Sequence, residues 1–316
     1  MYTILQSVPA PRDRPQPSPG RATFLITTDL LLQAAVSGIL LGAIYALVAL
    51  SLALIFGVMR VLNFAHGDLL MIAMYGVAYL HQSLGWHPYV AALALLPLMA
   101  LVGLVMFRLL IKPVLLAEPL TQAQLTLGLS FILQSVMLWF WGADLVNVQT
   151  SLGTAVVHLG DAVITLPLLL GAVASLLASF ALAWVLLRTE FGWQVRATAE
   201  DPVMATLSGI AVPRTRLLVF AGGVALLAIP AGALMTFYYV TPFVGIHFSI
   251  LSLLIVTLGG LGDLRGAFFG GLIIGLVESM SSALIAGPAA GSAIYVVFGI
   301  LLVFRPRGLF GRGVLA

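Results

Sequence analysis

Nine times along its 316 residues this chain runs apolar for about the distance a helix needs to cross a bilayer. The runs are Leu30–Met59, Asp68–Leu84, Tyr89–Ile111, Gln124–Trp141, Leu166–Leu187, Leu217–Tyr239, Phe248–Leu261, Ala267–Ile285 and Ser292–Phe304. Charged residues make up only 8% of the chain and hydrophobic residues 61%, where a soluble domain averages about 25% charged. So few charges cannot cover a water-exposed surface, so lipid is the solvent for most of the exterior. The expected fold is an all-α, polytopic transmembrane helical bundle of about eight to ten spans in the lipid bilayer. Several runs fall near or below the ~17-residue lower limit for a span, so breaks and re-entrant pieces are expected.

Charge then orients the spans. With nine of them, Arg60, Arg108, Lys112, Arg188, Arg196, Arg214, Arg216, Arg265, Arg305, Arg307 and Arg312 all fall on one side. Positive charge marks the cytoplasmic face, which puts the C-terminus inside and the N-terminus outside. Residues 1–29 are expected to be a disordered tail, because Pro9, Pro11, Pro15, Pro17 and Pro19 alternate there with charged residues. Residues 30–316 form the transmembrane domain, with its longest cytoplasmic loop at 188–216. The external segment Trp141–Leu166 alternates polar and β-branched residues, which suggests a small hairpin with a turn at Ser151-Leu152-Gly153.

Whole classes of function lack their signatures. There is no cysteine, hence no disulfide, iron–sulfur cluster or thiolate metal site. No G-x-x-x-x-G-K-[ST] frame precedes the single lysine, Lys112, so the chain is not expected to hydrolyse ATP by itself. H-E-x-x-H and G-x-S-x-G are likewise missing. Neither a cofactor nor a metal is expected, nor catalysis. The net charge of +3 sits at span boundaries and does not read as nucleic-acid binding.

Three stretches carry information. Asn63-Phe64-Ala65-His66-Gly67-Asp68 interrupts the apolar sequence between two spans. A carboxylate inside a span costs about 2.5–3.5 kcal/mol on insertion scales, so Asp68 must face water, a partner or a cavity. The alternative is an ordinary cytoplasmic loop in which Asn63 caps the next helix. Within 188–216, Asp201-Pro202-Val203-Met204-Ala205-Thr206-Leu207-Ser208-Gly209 has the form of a complete short helix. Asp201 is the N-cap, Pro202 occupies the first turn, and Gly209 takes the left-handed position after the end. Val203, Met204 and Leu207 share one face, which calls for a groove to dock into. The alternative is that the helix lies back on the protein's own membrane face, and the capping signals at both ends favour a projecting element. Finally, Gly259, Gly260, Gly262, Gly266, Gly270 and Gly271 crowd a membrane boundary, as in helices broken near a transported solute. Asp263 and Arg265 are expected to form a surface pair of little energetic weight. Glu278 is the one deep acid. Gly38-x-x-x-Gly42, Gly266-x-x-x-Gly270 and Gly271-x-x-x-Gly275 are expected to be helix-packing stripes.

Taken in order, these stretches resemble one family, the permease subunit of branched-chain amino acid ABC importers. The resemblance rests on Gly42-Ala43-Ile44-Tyr45-Ala46-Leu47 with Val61 to Asp68, then on Arg196-Ala197 through Glu200-Asp201-Pro202 to Gly209-Ile210. It continues with Leu258 to Gly262, Gly266-Ala267 and Gly270-Gly271, and ends on Arg305-Pro306-Arg307-Gly308-Leu309-Phe310-Gly311. It covers about Leu30 to Gly311. It implies a bacterial inner-membrane permease that carries branched-chain amino acids or related small solutes (urea, amides) into the cytoplasm. The implied partners are a second homologous permease subunit, two cytoplasmic ATP-binding subunits and an extracytoplasmic solute-binding protein. Arg196, Glu200, Asp201, Pro202, Val203, Met204, Ala205, Leu207 and Gly209 would form the element that couples to the ATPase. Asn63, His66, Gly67, Asp68, Gly259, Gly260, Gly262 and Glu278 would lie on or beside the translocation path. Two departures bear on the solute. His247-Phe248-Ser249-Ile250 stands where the family carries a lysine, and Asp263 and Arg265 stand where it favours small or apolar residues.

Two other readings compete. An ion-coupled secondary transporter of small solutes would need a buried ion site, for which Glu278 and Asp68 are the acids available. A membrane enzyme would need His66 and Asp68 as a base pair, with no nucleophile or metal set to serve.

Overall fold

The protein is a bundle of helices around one helix that is buried all round from Gly42 to Ile55. A computed structural model describes residues 28–150, 155–159, 162–285, 289–305 and 308–310. The tail expected over 1–29 lies outside the described residues except at its last two positions. In chain order come α1 (Thr28–Met59), α2 (His66–Leu84), α3 (Pro88–Met106) and the short α4 (Lys112–Val114), joined to α3 by a π turn at Phe107–Ile111. Next are α5 (Pro119–Trp141), a hairpin of β1 (Val156–Leu159) and β2 (Ala162–Thr165), and α6 (Leu166–Arg188). The short helices α7 (Glu190–Glu200) and α8 (Pro202–Leu207) follow. The chain ends with α9 (Val212–Leu226), α10 (Ala228–Leu234), α11 (Val244–Gly259), α12 (Leu264–Leu284) and α13 (Ala289–Phe304).

Each of the nine apolar runs is helical. Among the described residues six helical segments are long and apolar enough to cross a membrane: α1, α3 with its continuation to Val114, α5, α6, α9 with α10, and α12. Shorter apolar helices, α11 and α13, have 16 residues each. Proline sets many of the boundaries. It occupies the first turn of α3, α5, α6, α8 and α9, where its missing amide hydrogen has no helical partner to lose. Inside a helix it has the opposite effect. Pro230 cannot donate to the carbonyl of Leu226, and the helix breaks there into α9 and α10.

α1 is the axis of the bundle. From Gly42 to Ile55 every residue is buried, as expected of a helix that is apolar all round. It packs against α12 through small residues on both sides. A Cβ on Gly38 would stand 2.8 Å from the Cα of Leu276, and one on Gly42 would stand 2.8 Å from the Cα of Leu272. Gly271 lies against Ala46, and Gly275 against Gly42. The glycine stripes are therefore packing surfaces, as expected, and they bring two backbones together where lipid supplies no hydrophobic drive.

The hairpin expected within Trp141–Leu166 forms, but its pairing differs from the expected one. Val156 pairs with Thr165 and Leu159 with Ala162, which leaves two positions, 160 and 161, between the strands. The expected turn at 151–153 lies outside the described residues.

Candidate functional site

Between α1 and α2 the chain folds back into the bundle. Arg60 adopts a left-handed φ of 55°, rare for a residue with a side chain. Beyond it the chain returns alongside α1. Nε2 of His66 lies 3.0 Å from Ser51 Oγ and 3.1 Å from the carbonyl oxygen of Val48. Ser51 is eight residues before the end of α1, about 12 Å along its axis. α2 therefore starts inside the bundle, with Asn63, His66 and Asp68 all 0% exposed. This excludes an ordinary cytoplasmic loop. Irregular backbone at that depth is tolerated only where protein covers it.

Its polar groups are satisfied from several directions. The Gly67 amide donates to Ser249 Oγ at 2.8 Å, and that hydroxyl donates to the Phe64 carbonyl at 2.6 Å. Such a crossing requires bare backbone on both sides, because a Cβ on Gly67 would overlap Gly245 and Ser249, and one on Gly245 would overlap Asp68. Asn63 does not cap α2 as expected. The residue before the helix is Ala65, and Asn63 Oδ1 accepts from the Ala65 amide at 3.2 Å in a local turn. Nδ2 of Asn63 and Nδ1 of His66 are buried with no partner among the described residues.

Asp68 faces a partner within its own chain. Ser130 Oγ donates to Asp68 Oδ2 at 2.5 Å, and Gln134 Nε2 donates to Oδ1 at 3.0 Å and to Ser130 Oγ at 2.9 Å. Both residues come from α5. They continue a stripe of buried polar side chains, Gln122, Thr126, Ser130 and Gln134, spaced four apart on one face. Thr126 donates to the carbonyl of Leu62 at 3.2 Å. α5 thus turns a polar face inward onto the re-entrant segment and leaves apolar Phe131, Trp139 and Phe140 outside. Sequence reasoning missed this stripe, although the four-residue period was there to be read.

The late glycines join two helices closely. α11 ends at Gly259, and Gly260 and Gly262 take positive φ of 110° and 84° in the tight link to α12. Gly259 packs directly on Gly266, and Gly262 on Gly57 of α1. The amides of Leu309 and Phe310 return to the carbonyls of Leu258 and Gly259 at 2.8 and 3.1 Å, capping α11. Gly245, beside Asp68, and Gly259 are fourteen residues apart on α11, about 21 Å, so the two candidate stretches do not meet. The expected pair of Asp263 and Arg265 does not form. Asp263 instead caps α12, its Oδ1 accepting from the Gly266 amide at 2.9 Å. Glu278 is half-buried on α12, and its Oε2 is buried with no hydrogen-bond partner among the described residues. Tyr45 and Tyr238 both meet the ring of Phe248 edge-on. Among the described residues no group of three or more His, Asp or Glu side chains is placed to hold a metal.

At the far end of α6 the structure builds the short capped helix. Asp201 Oδ1 accepts from the amides of Val203 and Met204 at 2.8 and 3.0 Å. Pro202 opens α8, and Gly209 takes φ of 84° beyond it. The Gly209 amide donates to the Thr206 carbonyl and the Ile210 amide to the Ala205 carbonyl, both at 3.0 Å. These two bonds make a Schellman closure, and its usual apolar contact is present where Ala205 and Ile210 pack together with Val212. α8 is therefore locked at both ends by its own residues. Three of its apolar side chains are left uncovered by the described residues: Val203 is 65% exposed, Met204 60% and Leu207 76%. Arg196 and Glu200 are exposed on α7 beside it.

Residues 34–305 match the family described as "Branched-chain amino acid transport system / permease component". The high-affinity branched-chain amino acid transport system permease protein LivH of Escherichia coli is 29% identical over 297 residues, covering 89% of this chain and 96% of that protein. BraD of Pseudomonas aeruginosa, named as the same kind of permease, is 28% identical over 300 residues, with coverages of 89% and 96%. The solved structure of PsaBC from Streptococcus pneumoniae in complex with Fab aligns over 87% of this chain and 90% of that one, at 19% identity and a TM-score of 0.45, too distant to argue from.

Proposed function

Because the chain belongs to the family of branched-chain amino acid transport system permease components, a family of multi-pass inner-membrane subunits of ABC transporters, we propose that it is an importer subunit whose energy comes from separate proteins. In this reading two cytoplasmic ATP-binding subunits hydrolyse ATP, a second homologous permease completes the membrane channel, and an extracytoplasmic solute-binding protein delivers the cargo. The cargo is a branched-chain amino acid or a related small solute. The N-terminus lies outside and the arginine-rich end of the bundle faces the cytoplasm.

One observation carries this reading. α8 is capped at both ends yet leaves Val203, Met204 and Leu207 uncovered by the rest of the described chain. A helix of six residues is far too short to persist by propensity, and an isolated one would not expose an apolar face without a groove to receive it. A socket on the ATP-binding subunit supplies the groove, with Arg196, Glu200, Asp201, Pro202, Ala205 and Gly209 shaping or flanking the peg. The path for solute passes Asn63, His66, Gly67 and Asp68, where α2 begins inside the bundle. Gly259, Gly260 and Gly262 border it at the inner end, and Glu278 borders it toward the outer end.

Reconstitution tests this directly. Proteoliposomes holding the permease pair, loaded with ATP and supplied with the binding protein, should take up labelled leucine only when the ATP-binding subunits are present. Uptake by the permease chain alone, driven by a proton or sodium gradient, would overturn the proposal.

A further inference from the structure

Among the described residues one groove is distinguished by its apolar walls. It is a groove of about 510 Å³ between the arginine-bearing ends of α1, α6 and α12, roofed by α7. Its walls are almost wholly apolar, with Leu50 and Leu54 from α1, Leu186 from α6 and Phe268 from α12 among them. At its mouth stand two arginines, Arg196 on α7 and Arg265 on α12. Both are exposed, and neither guanidinium group has a hydrogen bond or ion pair with a described residue. Glu200 is one helical turn from Arg196 on the same helix, but it forms no ion pair with it. Asp263, next to the mouth, caps α12 through Oδ1 and forms no ion pair with Arg265.

The level of the groove is fixed by its surroundings. α1, α6 and α12 are all membrane-crossing helices by length and composition. α7 carries Trp193, 56% exposed, and Trp184 projects from the nearby end of α6 at 63%. Exposed tryptophans and arginines on a short amphipathic helix mark the headgroup level of a bilayer. An apolar slot therefore opens at that level beneath two unpaired guanidinium groups. Guanidinium groups bind phosphate through paired N–H donors. We infer that this groove is a binding site for an anionic phospholipid, one acyl chain lying between α1, α6 and α12 and the headgroup phosphate between Arg196 and Arg265. This goes beyond the transport reading and does not depend on it. Such a lipid would brace α7, and with it α8, against α1 and α12.

The test is lipid binding to the full-length chain in neutral detergent, read by native mass spectrometry against phosphatidylglycerol and phosphatidylcholine, with neither ATP nor transport involved. Phosphatidylglycerol should bind more tightly. Arg265→Gln should weaken it about fivefold, and Arg196→Gln about as much, while leaving phosphatidylcholine unchanged. Ala183→Phe, which fills the groove wall, should reduce binding of both lipids. Inorganic phosphate should not compete. Equal binding of the two lipids by the wild-type chain, or unchanged preference in both arginine variants, would overturn the proposal. So would displacement by phosphate alone, which would indicate a simple anion site. Loss of the lipid when the second permease is added would also overturn it and would mark the groove as a subunit contact.

Discussion

Asp68 shows how a membrane bundle keeps a carboxylate. Unpaired, it would carry the desolvation cost of a charge placed in a low-dielectric interior. Here it accepts from Ser130 and Gln134, and its position in the first turn of α2 adds the attraction of the helix N-terminus. Asp68→Ala strands two buried donors and should cost about 1–3 kcal/mol. Asp68→Asn keeps one acceptor oxygen and should cost less. Thermal unfolding in detergent, followed by size exclusion, should rank wild type above Asn and Asn above Ala. Equal melting of the two variants would mean that the carboxylate is not held as described. The sequence marked Asp68 as needing a partner and could not supply it, since Ser130 and Gln134 lie 62 and 66 positions away. Asn63 misled for the same reason. Its spacing from an expected helix start at Asp68 fitted a cap, whereas the long-range contacts with Val48, Ser51 and Ser249 start the helix at His66.

α8 was legible almost entirely from its residues because every interaction that defines it is local. Asp201 caps two amides within three positions, and Gly209 closes the other end within five. Elements that depend on distant contacts were harder to read. The glycines at 259–262 suggested an unwound path, yet they meet Gly57, Gly266 and residues 308–310, whose approach no local pattern announces. Asp201→Ala removes the cap of α8 and should cost about 1 kcal/mol of local stability. Gly209→Ala forces a side chain into the left-handed region and should cost a similar amount, about 1 kcal/mol. Hydrogen exchange at the amides of Ala205 to Ile210 should accelerate severalfold in both variants, while α12 keeps its protection. If exchange in α8 were unchanged, the helix would be held by something other than its caps.

At the scale of the whole molecule, each of the nine apolar runs is helical among the described residues, with the run Leu217–Tyr239 divided between α9 and α10. Hydrophobic length is a local property, so the existence of the helices was readable. The course of the chain between them was not. The return past Arg60 that starts α2 beside Ser51 depends on packing against α1, α5 and α11 together. On the function proposed above, this architecture is driven by separate ATP-binding subunits. It has a closed core, a polar seam around Asp68, and one rigid apolar peg left uncovered. The natural absence of cysteine allows a direct test of what covers that peg. Leu207→Cys should crosslink to an ATP-binding subunit in the assembled complex and become shielded from thiol reagents, while Trp139→Cys, exposed on α5, should not crosslink to that subunit. If Leu207→Cys stays as reactive in the complex as in the lone chain and joins no ATP-binding subunit, α8 is not the lever and the account of energy coupling is wrong.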